Sequence, residues 1–134
     1  MPQPRHVRID HLRPNNWYIN RAKLNQVRHA WQQGTQGQLP PILVTQIDGE
    51  LSLIDGHSRA FAALEHGEPH ILASFEPLEA IEGATSLYVH IHRTGPELGI
   101  LSVRDLAERI VTPDEHARLW VSYCEQWLAE NGYA

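Results

Sequence analysis

The segment Val7-Arg8-Ile9-Asp10-His11-Leu12 alternates apolar and polar positions and runs into Arg13-Pro14-Asn15-Asn16, which is turn chemistry, so it predicts one short strand. Asn20 suits a helix N-cap, and Leu24, Val27 and Trp31 recur at helical spacing before Gly34, predicting a helix between them. Thr35-Gln36-Gly37-Gln38 is then a surface loop. Two apolar runs, Ile42 to Ile47 and Leu51 to Ile54, flank Asp48-Gly49 and predict an antiparallel hairpin. His57 to His66 reads as a short helix with Phe61 and Leu64 buried and Gly67 at its end, and His70 to Phe75 as a further strand.

Beyond Pro77 the periodicity turns helical, with Leu87, Tyr88 and Ile91 on one face, until Gly95-Pro96 and Gly99 interrupt it. Two capping boxes follow, Ser102 with Asp105 and Thr112 with Glu115, and Pro113 holds the favoured first helical position after the second. They predict two closing helices. In the last, Trp120, Tyr123, Cys124, Trp127 and Leu128 form a broad apolar stripe, read as core packing. Strands first and helices afterwards predict an α+β layout, a small mixed sheet with helices gathered around one side or end.

Composition narrows the classes. With 134 residues and 42% hydrophobic content the chain suits one domain, residues 1–134, with short terminal tails. No stretch reaches the roughly eighteen apolar residues of a membrane span, and Met1-Pro2-Gln3-Pro4-Arg5-His6 lacks a signal-peptide core, so a cytoplasmic protein is expected. A single cysteine, Cys124, excludes an intrachain disulfide and leaves no Cys/His zinc spacing. The formal charge of -5 opposes binding to polyanions, and the only basic cluster, Arg5, Arg8 and Arg13, is thin.

Chemistry concentrates at Asp55-Gly56-His57-Ser58-Arg59. A glycine between a buried strand and a helix lets the chain turn sharply and leaves the first helical amides free, which makes an anion site. Arg59 adds planar donors for phosphate oxygens and Ser58 a hydroxyl, while Asp55 suits Mg²⁺ or a proton acceptor and His57 a proton shuttle or phosphate contact. The same spacing also allows a plain turn with Asp55 or Ser58 capping the helix and His57 and Arg59 facing water. Trp17 and Tyr18 suit base stacking or, by residue type, packing over the sheet edge. His90 and His92 would share a face on a strand but diverge on a helix, and surface histidines are the simpler reading than a metal site.

Leu39-Pro40-Pro41-Ile42-Leu43-Val44, the hairpin, Leu53 to Ala63 and Gly67 together resemble the ParB/sulfiredoxin superfamily over about residues 7 to 76, leaving 77–134 as a helical extension. The resemblance implies a sulfiredoxin-like fold whose Gly-x-x-Arg turn, here Gly56 to Arg59, binds nucleotide phosphates. The likeness is strongest to members with Asp-Gly-His-His-Arg, among them free serine kinases, with Ser58 standing where those have a second histidine. It implies an ATP- or ADP-dependent phosphotransferase using Mg²⁺ and a small hydroxyl-bearing acceptor. Their glutamate base corresponds to the Pro14-Asn15-Asn16 turn, which leaves Asp55 and His57 as the catalytic candidates. His57 occupies the position of the sulfiredoxin cysteine, so sulfinic acid repair is excluded. Alternatives on the same fold are a non-catalytic protein-interaction module, using the tryptophan-bearing helix or the arginine cluster, and a ParB-type DNA-binding or nuclease accessory protein.

Overall fold

The computed structural model describes residues 3–132; the tails expected at the two ends lie outside them. In chain order the elements are β1 (Arg5–Arg8), β2 (Leu12–Pro14), β3 (Ile19–Asn20), α1 (Arg21–Gln32), β4 (Ile42–Ile47), β5 (Glu50–Asp55), α2 (His57–Glu65) and β6 (His70–Phe75). There follow α3 (Thr85–Thr94), β7 (Ile110–Val111), α4 (Pro113–His116) and α5 (Ser122–Glu130), the last two joined by a π-helical turn at Ala117–Val121.

The single strand expected over 7–12 is instead two strands separated by a 3-10 turn, Ile9–His11. Ile9 and Leu12 are both fully buried. Residues three apart point to opposite faces of a strand but to one face of a helical turn, so burying both requires the turn. Its consequence is topological. β1 pairs antiparallel with β6 and β2 pairs parallel with β5, and the sheet runs β1-β6-β4-β5-β2, so this one turn joins its two edges. Flat, those edges would lie about 19 Å apart, whereas three 3-10 residues advance about 6 Å. The sheet therefore curls until its edges approach, giving an α+β fold whose curled mixed sheet is packed by helices.

The hairpin β4–β5 forms as expected, because Asp48 (φ 55°) and Gly49 (φ 77°) both take the left-handed conformation that a tight two-residue turn needs. Asn20 caps α1 by accepting from the amides of Ala22 and Lys23, and Leu24 carries the helix into the core. In α2, Ala60, Phe61, Ala62 and Ala63 are all buried, and small side chains let the helix lie close between the sheet, α1 and the Val103–Leu106 turn.

At the C-terminal end one expected helix does not form. Ser102 and Asp105 do make their capping box, but it opens only a four-residue 3-10 turn, Val103–Leu106. The chain then extends to pair β7 with β3 in parallel, and that pairing competes with further helix. The second box holds: Thr112 accepts from the Glu115 amide at 3.1 Å, and the Glu115 carboxylate accepts from the Thr112 amide at 3.0 Å. Trp120 is buried and meets Trp17 edge to face, with ring centroids 5.1 Å apart; Tyr123 also lies 5.1 Å from Trp17 and stacks on Trp120 at 6.0 Å. Trp17 thus packs, and burial raises the Cys124 thiol to about 11.

His90 and His92 lie on helix α3 and diverge. His92 is not a surface residue: it is buried with Nε2 3.0 Å from Glu50, while His90 meets the Tyr123 hydroxyl at 2.7 Å. Among the described residues there is no group of three or more His, Cys, Asp or Glu side chains able to hold a metal ion, and no helix long and apolar enough to cross a membrane.

Candidate functional site

Helix α2 begins where β5 stops, and Gly56 makes the change of direction at φ 106°, a conformation that side chains rarely adopt. A Cβ there would also stand 2.5 Å from Ile42 Cγ2, so the position is closed to other residues on two counts. No side chain caps the helix, and its first turn opens on a cleft of about 330 Å³.

The turn residues divide between wall and opening. Asp55 is exposed, with its carboxylate 3.1 Å from Arg59. Arg59 is largely buried and gives two further hydrogen bonds, to the carbonyls of Pro40 (2.7 Å) and Pro41 (3.1 Å). It therefore fixes the loop before β4 while lining the cleft, instead of facing water as the plain-turn reading supposes. Ser58 also lines the cleft, and neither it nor Asp55 caps the helix.

His57 turns inward. It is buried, and its Nε2 shares the backbone N–H of Asn15 with the Leu53 carbonyl, at 3.1 and 3.0 Å. Burial pushes its pKa down to about 4, and the charges on Arg59 and His116 act in the same direction, against Asp55 and the Leu53 backbone. The ring is neutral at ordinary pH. Asn15, on the turn after β2, is a hub: its amide nitrogen gives hydrogen bonds to Ser52 Oγ (3.0 Å) and to the Tyr88 carbonyl (2.9 Å). Sheet, turn and α3 are thereby tied together behind the cleft. Asn16 faces the cleft itself, its Oδ1 accepting from the Tyr18 amide at 3.0 Å and its Nδ2 lying 3.5 Å from His116 Nε2.

Three polar residues of the lining were not singled out by motif. Lys23 and Gln26 come from the start of α1, and His116 from the end of α4. Lys23 is the sole lysine of the chain. Its exposed position just inside a capped helix start is a sequence signal, but only the tertiary fold brings that start beside Gly56. Tyr18 reaches the cleft as well, with the Arg109 guanidinium 4.5 Å over its ring. The N-terminal arginines are engaged by the chain's own groups: Arg5 over the Phe75 ring, Arg8 with Asp10 and Arg13 with Glu50.

No protein-family model and no curated protein sequence matches the chain. Among solved structures it is similar to protein Atu1540 from Agrobacterium tumefaciens, at 23% identity and a TM-score of 0.47, over 57% of this chain and 39% of that one. It is also similar to sulfiredoxin from Arabidopsis thaliana, at 20% identity and a TM-score of 0.48, over 59% of this chain and 92% of that one. The chain thus spans well under half the length of Atu1540.

Proposed function

We propose that the cleft binds the phosphates of a nucleotide and serves transfer of phosphate to a small hydroxyl-bearing acceptor. One observation carries this reading. The uncapped start of α2, behind a left-handed glycine, opens on a cleft whose formally charged side chains are Lys23 and Arg59 against Asp55 alone. Free amides, a helix N-terminus and an excess of positive charge are what an oxyanion needs. This local balance is opposite in sign to the chain's net charge of -5.

In this reading the amides of the first turn and the Ser58 hydroxyl hold phosphate oxygens, and Lys23 and Arg59 supply charge. Asp55, the one carboxylate of the lining, binds Mg²⁺ or accepts the acceptor's proton. His57, with Nε2 already engaged, holds the turn in place. A second reading, a non-catalytic interaction module, is favoured by the exposed Leu98 and Leu101 beside the buried Ile100.

Calorimetric titration of ATP, ADP and CTP with Mg²⁺ tests the reading. Lys23→Ala is a cleaner variant than Arg59→Ala, since Arg59 also holds the Pro40 and Pro41 carbonyls. Saturable binding weakened about tenfold by Lys23→Ala is the expected result. If no nucleotide binds the wild type, the interaction module is left standing.

A further inference from the structure

The segment after β7 does more than cover the sheet, because it sends one ring into the cleft. His116, the last residue of α4, lines the same space as Gly56, Arg59 and Lys23. Directly after it the helix widens into a π-helical turn, Ala117–Val121, in which the Ser122 hydroxyl bonds back to the Ala117 carbonyl. Single π-turns within α-helices recur at functional sites.

The surroundings define the protonation state of the ring. Asn16 spends its Oδ1 on the Tyr18 amide, which leaves Nδ2, a donor, toward His116 Nε2 at 3.5 Å. A neutral ring meets that donor best with Nε2 unprotonated and its proton on Nδ1. Half-burial and the Lys23 charge both lower the pKa of this imidazole. Of the other ionisable groups, His57, Asp55 and Arg59 line the same cleft, and Glu115, next in sequence, feels the charges of Arg118 and Arg21. Glu115 is committed to the Thr112 amide.

We propose that His116 is a ligand-binding residue whose charged form is favoured by contact with a phosphate dianion, so that nucleotide binding draws part of a proton from solvent onto Nε2 near neutral pH. This rests on the nucleotide reading of the cleft. The arriving oxygen replaces the Asn16 amide as the partner of Nε2, and its negative charge both offsets that of Lys23 and pairs with the protonated ring, which outweighs the burial that otherwise favours the neutral form. The imidazolium and Lys23 then form a cationic pair for the same phosphate. The segment after β7 becomes a wall of the site, and affinity rises as pH falls.

The test is calorimetry of Mg²⁺-ADP at pH 6.5 in buffers of different ionisation enthalpy, for the wild type and His116→Gln. Because the phosphate can itself exchange protons, the quantity of interest is the difference between the two proteins. The wild type should take up a substantial fraction of a proton more than His116→Gln. The variant should bind several-fold more weakly at pH 6, with the gap closing by pH 8. ¹⁵N NMR of the imidazoles in the wild type gives the same answer without a substitution: the His116 midpoint should rise by about one unit when Mg²⁺-ADP is added. Equal proton uptake and equal pH dependence in both proteins, or an unmoved His116 midpoint, would overturn the proposal while leaving nucleotide binding intact. Absence of binding by the wild type would instead remove the reading beneath it.

Discussion

The backbone N–H of Asn15 and Nε2 of His57 meet at 3.1 Å, so the turn after β2 and the start of α2 are pinned to each other by a buried, neutral imidazole. The folded protein holds this ring unprotonated down to about pH 4. The unfolded chain takes up the proton near pH 6.5. The stability this ring contributes is therefore complete above about pH 6.5 and is lost as pH falls from there to about 4, an effect of about 3 kcal/mol over the whole interval. Urea denaturation at pH 7.5 and pH 5 should show the loss, and His57→Gln, whose amide oxygen can accept from Asn15, should flatten that difference.

Gly56→Ala should destabilise the protein by about 2–4 kcal/mol, since it adds left-handed strain to a clash with Ile42. Thermal melting of the variant measures it. Gly49→Ala is the matched control: it has a similar backbone requirement at φ 77° but nothing within 4 Å of the added methyl, so it should cost clearly less.

Removing the Arg59 side chain leaves the Pro40 and Pro41 carbonyls without their donor and should cost about 1–3 kcal/mol. Arg59→Lys keeps the charge but cannot span both carbonyls and Asp55 in one planar group, so its melting temperature should fall between those of the wild type and Arg59→Ala.

Trp120→Ala should cost about 3–5 kcal/mol, the usual range for deleting a buried indole. It leaves Trp17 without its edge-to-face partner, so the intrinsic fluorescence should shift to longer wavelength as water reaches that ring.

Elements whose signal is local were legible in the sequence. Asp48-Gly49, the Asn20 cap and the Thr112–Glu115 box each work within a few residues, and each forms as read. Where distant partners decide, the reading departed. The break at Ile9–His11 exists because Ile9 and Leu12 must both enter one core, and Val103–Leu106 stays a 3-10 turn because β3 claims the residues that follow. The site divides the same way. Gly56 and Arg59 stand out as a turn motif, but the second role of Arg59 depends on Pro40 and Pro41, nineteen and eighteen residues earlier. The inward face of His57 depends on Asn15, and His116 is ninety-three residues from Lys23, so no spacing rule could associate them.

The turn at Ile9–His11 also makes one short stretch of chain the guardian of both sheet edges. While β1 and β2 are in place, the backbone groups they cover on β6 and β5 are satisfied within the molecule. Detaching residues 5–14 would uncover both strands at once and offer two templates for an incoming strand, the nearest supply being the same stretch of another copy. Conditions that loosen this segment should therefore lead toward strand-exchanged dimers before they lead to a fully unfolded chain.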